Sequence, residues 1–127
     1  MSTSSSSSPA VAVVDDDPRI RSLLADEFSD EGIEVALCES GFECLELINQ
    51  QSIDLLLLDL MMPGMDGLEC LRQLKLRDFA GVVVVVTAFS DDSKRREALA
   101  LGADQYIVKP ELFDMLPSLI EQYLIAK

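Results

Sequence analysis

I-D-L-L-L-L-D-L-M-M-P-G-M-D-G, running from Ile53 to Gly67, is the stretch that decides the fold. Leu55 to Leu58 are apolar at consecutive positions rather than alternating ones. A strand with one face in water alternates apolar and polar residues, whereas a strand covered on both faces does not. The run therefore predicts a strand inside a buried sheet. Asp59 stands where that strand should stop, and Met62-Pro63-Gly64 behind it marks a turn. A carboxylate is thus held at the rim of a buried sheet beside a loop. The strand fixes it and the rim exposes it, which suits a nucleophile.

The same logic extends in both directions. Val82 to Val86 is an unbroken run of valines ending in Thr87-Ala88, and predicts a second fully buried strand. Ala10 to Val14 reads as a first strand running into Asp15-Asp16-Asp17-Pro18. Ile33 to Leu37, with polar Glu34 inside it, reads as an edge strand. Gln105 to Val108 reads as the last, ending in Lys109-Pro110. Between them lie helical spacings. Ile20, Leu23, Leu24 and Phe28 follow Asp17 as N-cap and Pro18 as first helical residue, and Gly32 closes that helix. A second helix covers Phe42, Leu45, Leu47 and Ile48; Asp66 caps a third through Leu68, Leu71 and Leu74. A charged fourth spans Ser90 to Leu101, with Gly102 as its cap. A fifth carries Leu116, Ile120, Tyr123 and Leu124, with Pro117 near its start.

This is a βα unit repeated five times. It predicts an α/β fold, a doubly wound five-stranded parallel sheet of (βα)5 type with helices on both faces. Right-handed crossovers leave few topologies. With the most apolar strands inside and the Glu34 strand outside, the order is 2-1-3-4-5. Ligands of such sheets bind beyond the carboxyl ends of the strands where the order reverses, here between the first and third.

Composition limits the function. The chain has 127 residues, one domain's worth, and a formal charge of −13 from 23 acidic and 10 basic residues. That surface repels phosphate backbones and anionic lipid, so no nucleic-acid or membrane binding is expected. There is no histidine, which removes imidazole ligands and the commonest general base. The three cysteines, Cys38, Cys44 and Cys70, lack C-x-x-C spacing and read as small apolar residues in a reducing compartment. No segment has transmembrane length and the start lacks a signal pattern, so a cytoplasmic protein is expected. Residues 1–9 are nearly all serine and are expected to be a disordered tail, with the domain occupying 10–127.

The fold rule brings Asp15 and Asp16, Asp59, Thr87 and Lys109 to one rim. Three crowded carboxylates repel, and at least one should have a raised pKa unless a cation sits among them. A hard dication with oxygen ligands, Mg²⁺ or Ca²⁺, is the natural occupant. A metal, a lysine and a hydroxyl around one carboxylate are the parts that stabilise a phosphoryl group in in-line transfer, with Asp59 as nucleophile. Each residue alone has a plainer reading. Asp17 and Asp66 are helix caps, Met61, Met62 and Met65 are loop and packing residues, Thr87 and Tyr106 are strand residues, and Lys109 is a surface lysine. Only the set points to chemistry.

From about Ala10 to Lys127 the chain resembles the receiver domain of two-component response regulators. The resemblance rests on V-V-D-D at Val13–Asp16, L-L-D-L-M-M-P-G-M-D-G at Leu57–Gly67, V-T-A at Val86–Ala88 and G-A-D-Q-Y-I-V-K-P at Gly102–Pro110. The flavodoxin-like order 2-1-3-4-5 is the family's own, so topology and resemblance are not independent. The resemblance implies a phosphorylation-dependent switch rather than an enzyme. Asp59 would accept a phosphoryl group from a phosphohistidine on a sensor histidine kinase or histidine phosphotransfer protein. Asp15, Asp16, Asp59 and the backbone carbonyl of Met61 would hold Mg²⁺. Thr87 and Lys109 would contact the phosphoryl oxygens, and Lys109-Pro110 would be cis. Thr87 and Tyr106 would form the switch, altering the face of helix four, strand five and helix five. The output would be a downstream effector protein, or an output domain absent from this chain.

Three features depart from the commoner family pattern. Glu111 follows Lys109-Pro110 where an aromatic is frequent. Helix five lacks the basic residues of regulators that dimerise through salt bridges on that face. Met61 and Phe89, two residues past Asp59 and Thr87, are apolar, and predict slow loss of the phosphoryl group by crowding the attacking water. Competing readings are a receiver-like module that binds partners without phosphorylation, a haloacid-dehalogenase-type phosphatase using Asp15 and Asp17, and a flavin-binding module. The second expects Thr or Val where Arg19 stands, and the third a hydroxyl-rich phosphate loop that is missing.

Overall fold

The computed structural model describes residues 9–88 and 90–125. The serine-rich residues 1–8, expected to be a disordered tail, and Phe89, expected to crowd the site, lie outside the described residues. Five strands alternate with five helices: β1 Val11–Val14, α1 Pro18–Asp30, β2 Val35–Cys38, α2 Gly41–Gln50, β3 Leu55–Asp59, α3 Gly67–Leu76, β4 Val82–Thr87, α4 Asp92–Ala100, β5 Gln105–Val108 and α5 Lys109–Ile120. A short π-helical turn, Glu121–Ile125, continues α5. All strand pairs are parallel and the order is β2-β1-β3-β4-β5.

Strand alternation sorts the core into two layers. Val11, Val13, Leu55, Leu57, Val84, Val86 and Ile107 pack on one face with Leu24 and Phe28 of α1 and with Leu112, Leu116 and Leu119 of α5. Ala12, Val14, Leu56, Leu58, Val83 and Val85 pack on the other with Cys44, Cys70, Leu71, Leu74 and Ala98 from α2, α3 and α4. Both faces of the β3 leucines are thereby covered, as their unbroken run demands. Each gains roughly 1.5–3 kcal/mol from burial, enough to fix the register of the strand that carries Asp59.

The helix starts are set by side chains. Asp17, Ser40, Asp66 and Asp91 each accept a backbone N–H from the first turn of the helix they precede. Asp91 moves the start of α4 from the expected Ser90 to Asp92, and Leu101 rather than Gly102 is its capping residue. Gly102, at φ 108°, carries the chain out of the helix through the left-handed region. Gly67 opens α3 so tightly against β3 that a Cβ there would lie 2.5 Å from Leu60 Cα and 2.6 Å from the Asp59 carbonyl oxygen.

Several expectations need correction. β2 begins at Val35, not Ile33, because the Ile33 amide is spent on the Phe28 carbonyl in closing α1. Glu34 therefore precedes the strand, which is nonetheless an edge. Phe42 is 60% exposed and lies outside the core that α2 builds with Cys44 and Leu45. α5 begins directly at Lys109, so Pro117 sits inside the helix rather than near its start. Its neighbours Leu112, Leu116 and Leu119 are all buried, and their packing outweighs the backbone bond that the proline cannot donate. No peptide bond among the described residues is cis, so Lys109–Pro110 is trans. Pro110 falls at the first turn of α5, where an N–H has no partner within the helix.

The cysteines are free and buried. Burial pushes the Cys38 thiol up to about 11. Cys44 and Cys70 share a hydrogen bond that raises the first and lowers the second. No described helix is long and apolar enough to cross a membrane.

Candidate functional site

Register builds the site as a staircase. Val14 pairs with Leu58, so Asp15 follows level with Asp59. Asp59 pairs with Val86, so Thr87 follows one step on. Thr87 pairs with Val108, so Lys109 follows one step further. Parallel strands release their last residues toward the same rim, which gathers Asp15, Asp16, Asp59, Thr87 and Lys109; Met61 follows on the loop after β3, and Tyr106 lies two residues back from the end of β5.

Asp15 and Asp59 are 3% and 2% exposed, while Asp16 is exposed. One carboxylate oxygen from each of Asp15, Asp16 and Asp59 lies within 4.8 Å of the others. The Lys109 ammonium reaches Asp15 Oδ2 at 3.1 Å and Asp59 Oδ2 at 3.7 Å. Met61 donates its backbone N–H to Asp59 Oδ1 at 3.2 Å. Burial first, and the neighbouring Asp15 charge second, push the Asp59 carboxyl up from 3.8 to about 6. Lys109 and the Met61 amide pull the other way without cancelling this. Burial alone would lower the Lys109 ammonium, but its bond to Asp15 and the charge of Asp59 hold it above its ordinary range. The raised carboxyl expected of three crowded acids is present at Asp59, with burial its larger cause.

The donors fit a hard dication. They are carboxylate oxygens with no thiol or imidazole among them, the preference of Mg²⁺ rather than of a softer metal. Oxygens on one Mg²⁺ sit about 2.1 Å from it, hence no more than about 4.2 Å apart, within small side-chain adjustments of what is seen. Such an ion would also offset the burial and the repulsion that together raise Asp59.

Thr87 and Tyr106 stand on adjacent strands, Tyr106 paired with Val85 two residues before Thr87. Thr87 is 2% exposed; burial first and the Asp91 charge second push the Tyr106 phenol up, and the nearby Thr87 hydroxyl pulls the other way. Glu111 is exposed in the first turn of α5 and makes no ion pair among the described residues, leaving Lys109 to the acids. Met61 is 54% exposed beside Asp59, whereas Met62 is buried in the core. Asp17 and Asp66 are caps, as their plainer reading had it.

One contributor escaped the sequence reading. Arg21, in the first turns of α1, donates from Nη1 to the Asp15 carbonyl oxygen at 2.7 Å. The signal was there in principle: a cation on the helix that leaves an acidic strand end faces back over that end. Nothing in the spacing alone distinguishes it from Arg19, whose guanidinium pairs with Asp17 at the surface.

Comparison with known proteins agrees with this geometry. The family model described as the response regulator receiver domain matches residues 11–121. The chain is 33% identical over 117 residues to sporulation initiation phosphotransferase F of Bacillus subtilis, covering 92% of this chain and 94% of that protein. It is 41% identical over 108 residues to the transcriptional regulatory protein AruR of Pseudomonas aeruginosa, covering 80% of this chain and 43% of that protein. The chain thus spans less than half the length of this regulator. Among solved structures, the response regulator protein TrrA of Thermotoga maritima, in complex with Mg²⁺-BeF, superposes with a TM-score of 0.81 at 34% identity. That match covers 91% of this chain and 99% of TrrA.

Proposed function

The chain belongs to the response regulator receiver domain family of two-component signalling, and from that premise we propose that it is a phosphorylation-dependent switch whose acceptor is Asp59. The observation that carries this reading is the convergence of Asp15, Asp16 and Lys109 on one buried carboxylate at a strand end. Receiver domains are signalling domains, and they work with histidine kinases or phosphotransfer proteins on one side and output domains on the other.

Asp59 acts as nucleophile in its ionised form, which dominates above about pH 6. One carboxylate oxygen attacks phosphorus in line. The P–O bond forms as the P–N bond of the donor phosphohistidine breaks, and its electron pair returns to the imidazole. The Met61 amide holds Oδ1, leaving Oδ2 on the Lys109 side as the attacking atom. Lys109 and the Thr87 hydroxyl meet the equatorial oxygens as charge develops on them. Asp15, Asp16, Asp59 and the Met61 carbonyl would hold Mg²⁺, which when bound neutralises the acids and the transferring oxygens. The Mg²⁺-BeF complex of TrrA supports that assignment.

Once Asp59 carries the phosphoryl group, the Thr87 hydroxyl is drawn to it and releases Tyr106, which alters the face of α4, β5 and α5. Exposed, apolar Met61 would hinder the water that hydrolyses the product, so the phosphoryl group should persist. This is tested by exchanging Met61 for a polar residue, which should speed loss of phosphate. The chain itself turns over no substrate on this reading. Its acidic surface argues against direct contact with nucleic acid or membrane, and its free buried cysteines favour the cytoplasm.

The experiment is intact mass after incubation with Mg²⁺ and acetyl phosphate, alongside Asp59→Asn. A gain of one phosphoryl group that needs both Mg²⁺ and Asp59 is expected. No gain, from acetyl phosphate or from a phosphorylated phosphotransfer protein, would transfer the reading to a module that binds partners without phosphorylation.

A further inference from the structure

The two acids at the end of β1 are held very differently. Every hydrogen-bonding group of Asp15 has a partner. Its amide donates to the Cys38 carbonyl at 3.0 Å, its Oδ1 accepts from the Asp17 amide at 2.8 Å, and its Oδ2 faces Lys109 at 3.1 Å. Its carbonyl accepts from Arg21 Nη1 at 2.7 Å. The Asp16 side chain is exposed and makes no hydrogen bond or ion pair with the described residues. Its carboxylate nevertheless lies in the cluster with Asp15 and Asp59.

The direction of Asp16 must then come from its backbone. The Asp15 carbonyl belongs to the peptide unit that joins Asp15 to Asp16, and that unit is planar. Fixing its oxygen therefore fixes the plane from which Asp16 Cα and Cβ depart. The oxygen is fixed by a charge-assisted bond from a half-buried guanidinium, itself anchored on α1, where the Arg21 amide donates to the Asp17 carbonyl at 3.2 Å. We propose that Arg21 is the positioning residue for Asp16, orienting it toward the metal site through the shared peptide unit without touching the ion. This rests on the Mg²⁺ site of the proposed function.

Charge and position predict opposite signs, which makes the idea testable. Arg21 is a cation near a site for a dication, so charge removal alone should tighten Mg²⁺ binding. Loss of positioning should weaken it. Mg²⁺ titrations followed by backbone amide NMR shifts, a method that tolerates millimolar affinities, give the dissociation constant for each variant. Arg21→Ala should weaken binding roughly three- to tenfold, the range of one lost hydrogen bond. Arg21→Lys, which keeps a donor, should recover most of it, and guards against an unfolded alanine variant. In an Asp16→Ala background, Arg21→Ala should shift the constant less than twofold, because there is no Asp16 carboxylate left to position. Tighter or unchanged binding in Arg21→Ala, or an undiminished penalty in the Asp16→Ala background, overturns the assignment. If the unaltered protein binds no Mg²⁺, the site itself fails, and that outcome is distinct.

Discussion

Four aspartates mark the ends of strands in this sheet, two at the amino edge and two at the carboxyl edge. Asp54 precedes β3, gives its amide to the Ala10 carbonyl at 2.8 Å, and takes the Ala10 amide on Oδ2 at 2.8 Å. Asp104 precedes β5 and repeats the motif on β4, with Val83 bonded at 2.8 Å by the carbonyl and 2.9 Å by the amide. Each is exposed and extends a ladder by one side-chain bond. Asp15 and Asp59 end their strands at the other edge, buried, facing each other and a lysine. The residue type and the sheet are the same, so chemistry is decided by which neighbours the register brings. At both edges a backbone N–H answers each carboxylate, from Ala10 and Val83 at one and from Asp17 and Met61 at the other. What differs is that at the carboxyl edge Asp15, Asp16 and Asp59 also crowd one another with a single lysine among them, and the surplus charge must be met by something brought in.

The largest test of this contrast is chemical. Asp59→Asn should abolish phosphoryl uptake from acetyl phosphate, while Asp54→Asn should leave it intact, with intact mass as the readout. Loss in both, or retention in Asp59→Asn, would refute the distinction between the edges.

The next test concerns stability. The Asp59 carboxyl titrates at about 6 in the fold against an ordinary 3.8. Between those values the folded protein holds the proton more tightly than the unfolded chain does, so this group's contribution to stability falls as pH rises through the window. Above about pH 6 the loss is complete, and the gap corresponds to about 2–3 kcal/mol. Without Mg²⁺, Asp59→Asn should therefore stabilise the protein by about 2 kcal/mol at pH 7.5 and by little at pH 4. Added Mg²⁺ should narrow the difference by stabilising the unaltered protein more. Urea unfolding at the two pH values measures this. A carboxyl-edge acid that stabilised the metal-free fold would erase the contrast.

The amino edge should behave in the opposite sense. Asp104→Ala leaves the half-buried Val83 amide without its side-chain partner and should cost about 1 kcal/mol. Asp54→Ala, whose bond to Ala10 is exposed to water, should cost about 0.5 kcal/mol. Neither should alter phosphorylation.

Much of this was legible in sequence because apolar runs are local. Leu55–Leu58 and Val82–Val86 announce strands covered on both faces, and one rule of parallel sheets then carries Asp15, Asp59, Thr87 and Lys109 to one rim. What escaped depends on contacts between elements. Ile33 has the composition of a strand residue, but a carbonyl five residues earlier takes its amide. Phe42 has helical spacing, yet its position on α2 turns it outward. Pro117 looked like a start signal because Lys109-Pro110 had been assigned to the end of a strand. Asp54 and Asp104 carry no signal of their bonds, since a carboxylate before a strand has no pattern until its partner strand is known. Arg21 is legible only once α1 is packed over the end of β1.

The smallest effect asks whether the carboxyl edge changes partners while the amino edge does not. Tyr106 is half-buried, and the Thr87 hydroxyl acts on its phenol without a phosphoryl group, an interaction we read as a hydrogen bond. Tyr106→Phe removes that bond, with water partly replacing it, and should cost about 0.5 kcal/mol in the unphosphorylated protein. If phosphorylation of Asp59 draws the Thr87 hydroxyl away, the bond is already gone in the phosphorylated protein, and the same substitution should then cost less. Asp104→Ala, on the same strand pair but at the opposite edge, should cost the same in both states. Thermal midpoints of the two variants, each with and without phosphorylation, separate the cases. An equal cost for Tyr106→Phe in both states would mean that Thr87 does not exchange partners. The hydroxyl would then be as static a structural group as Asp104, and the response would have to leave the site by another route.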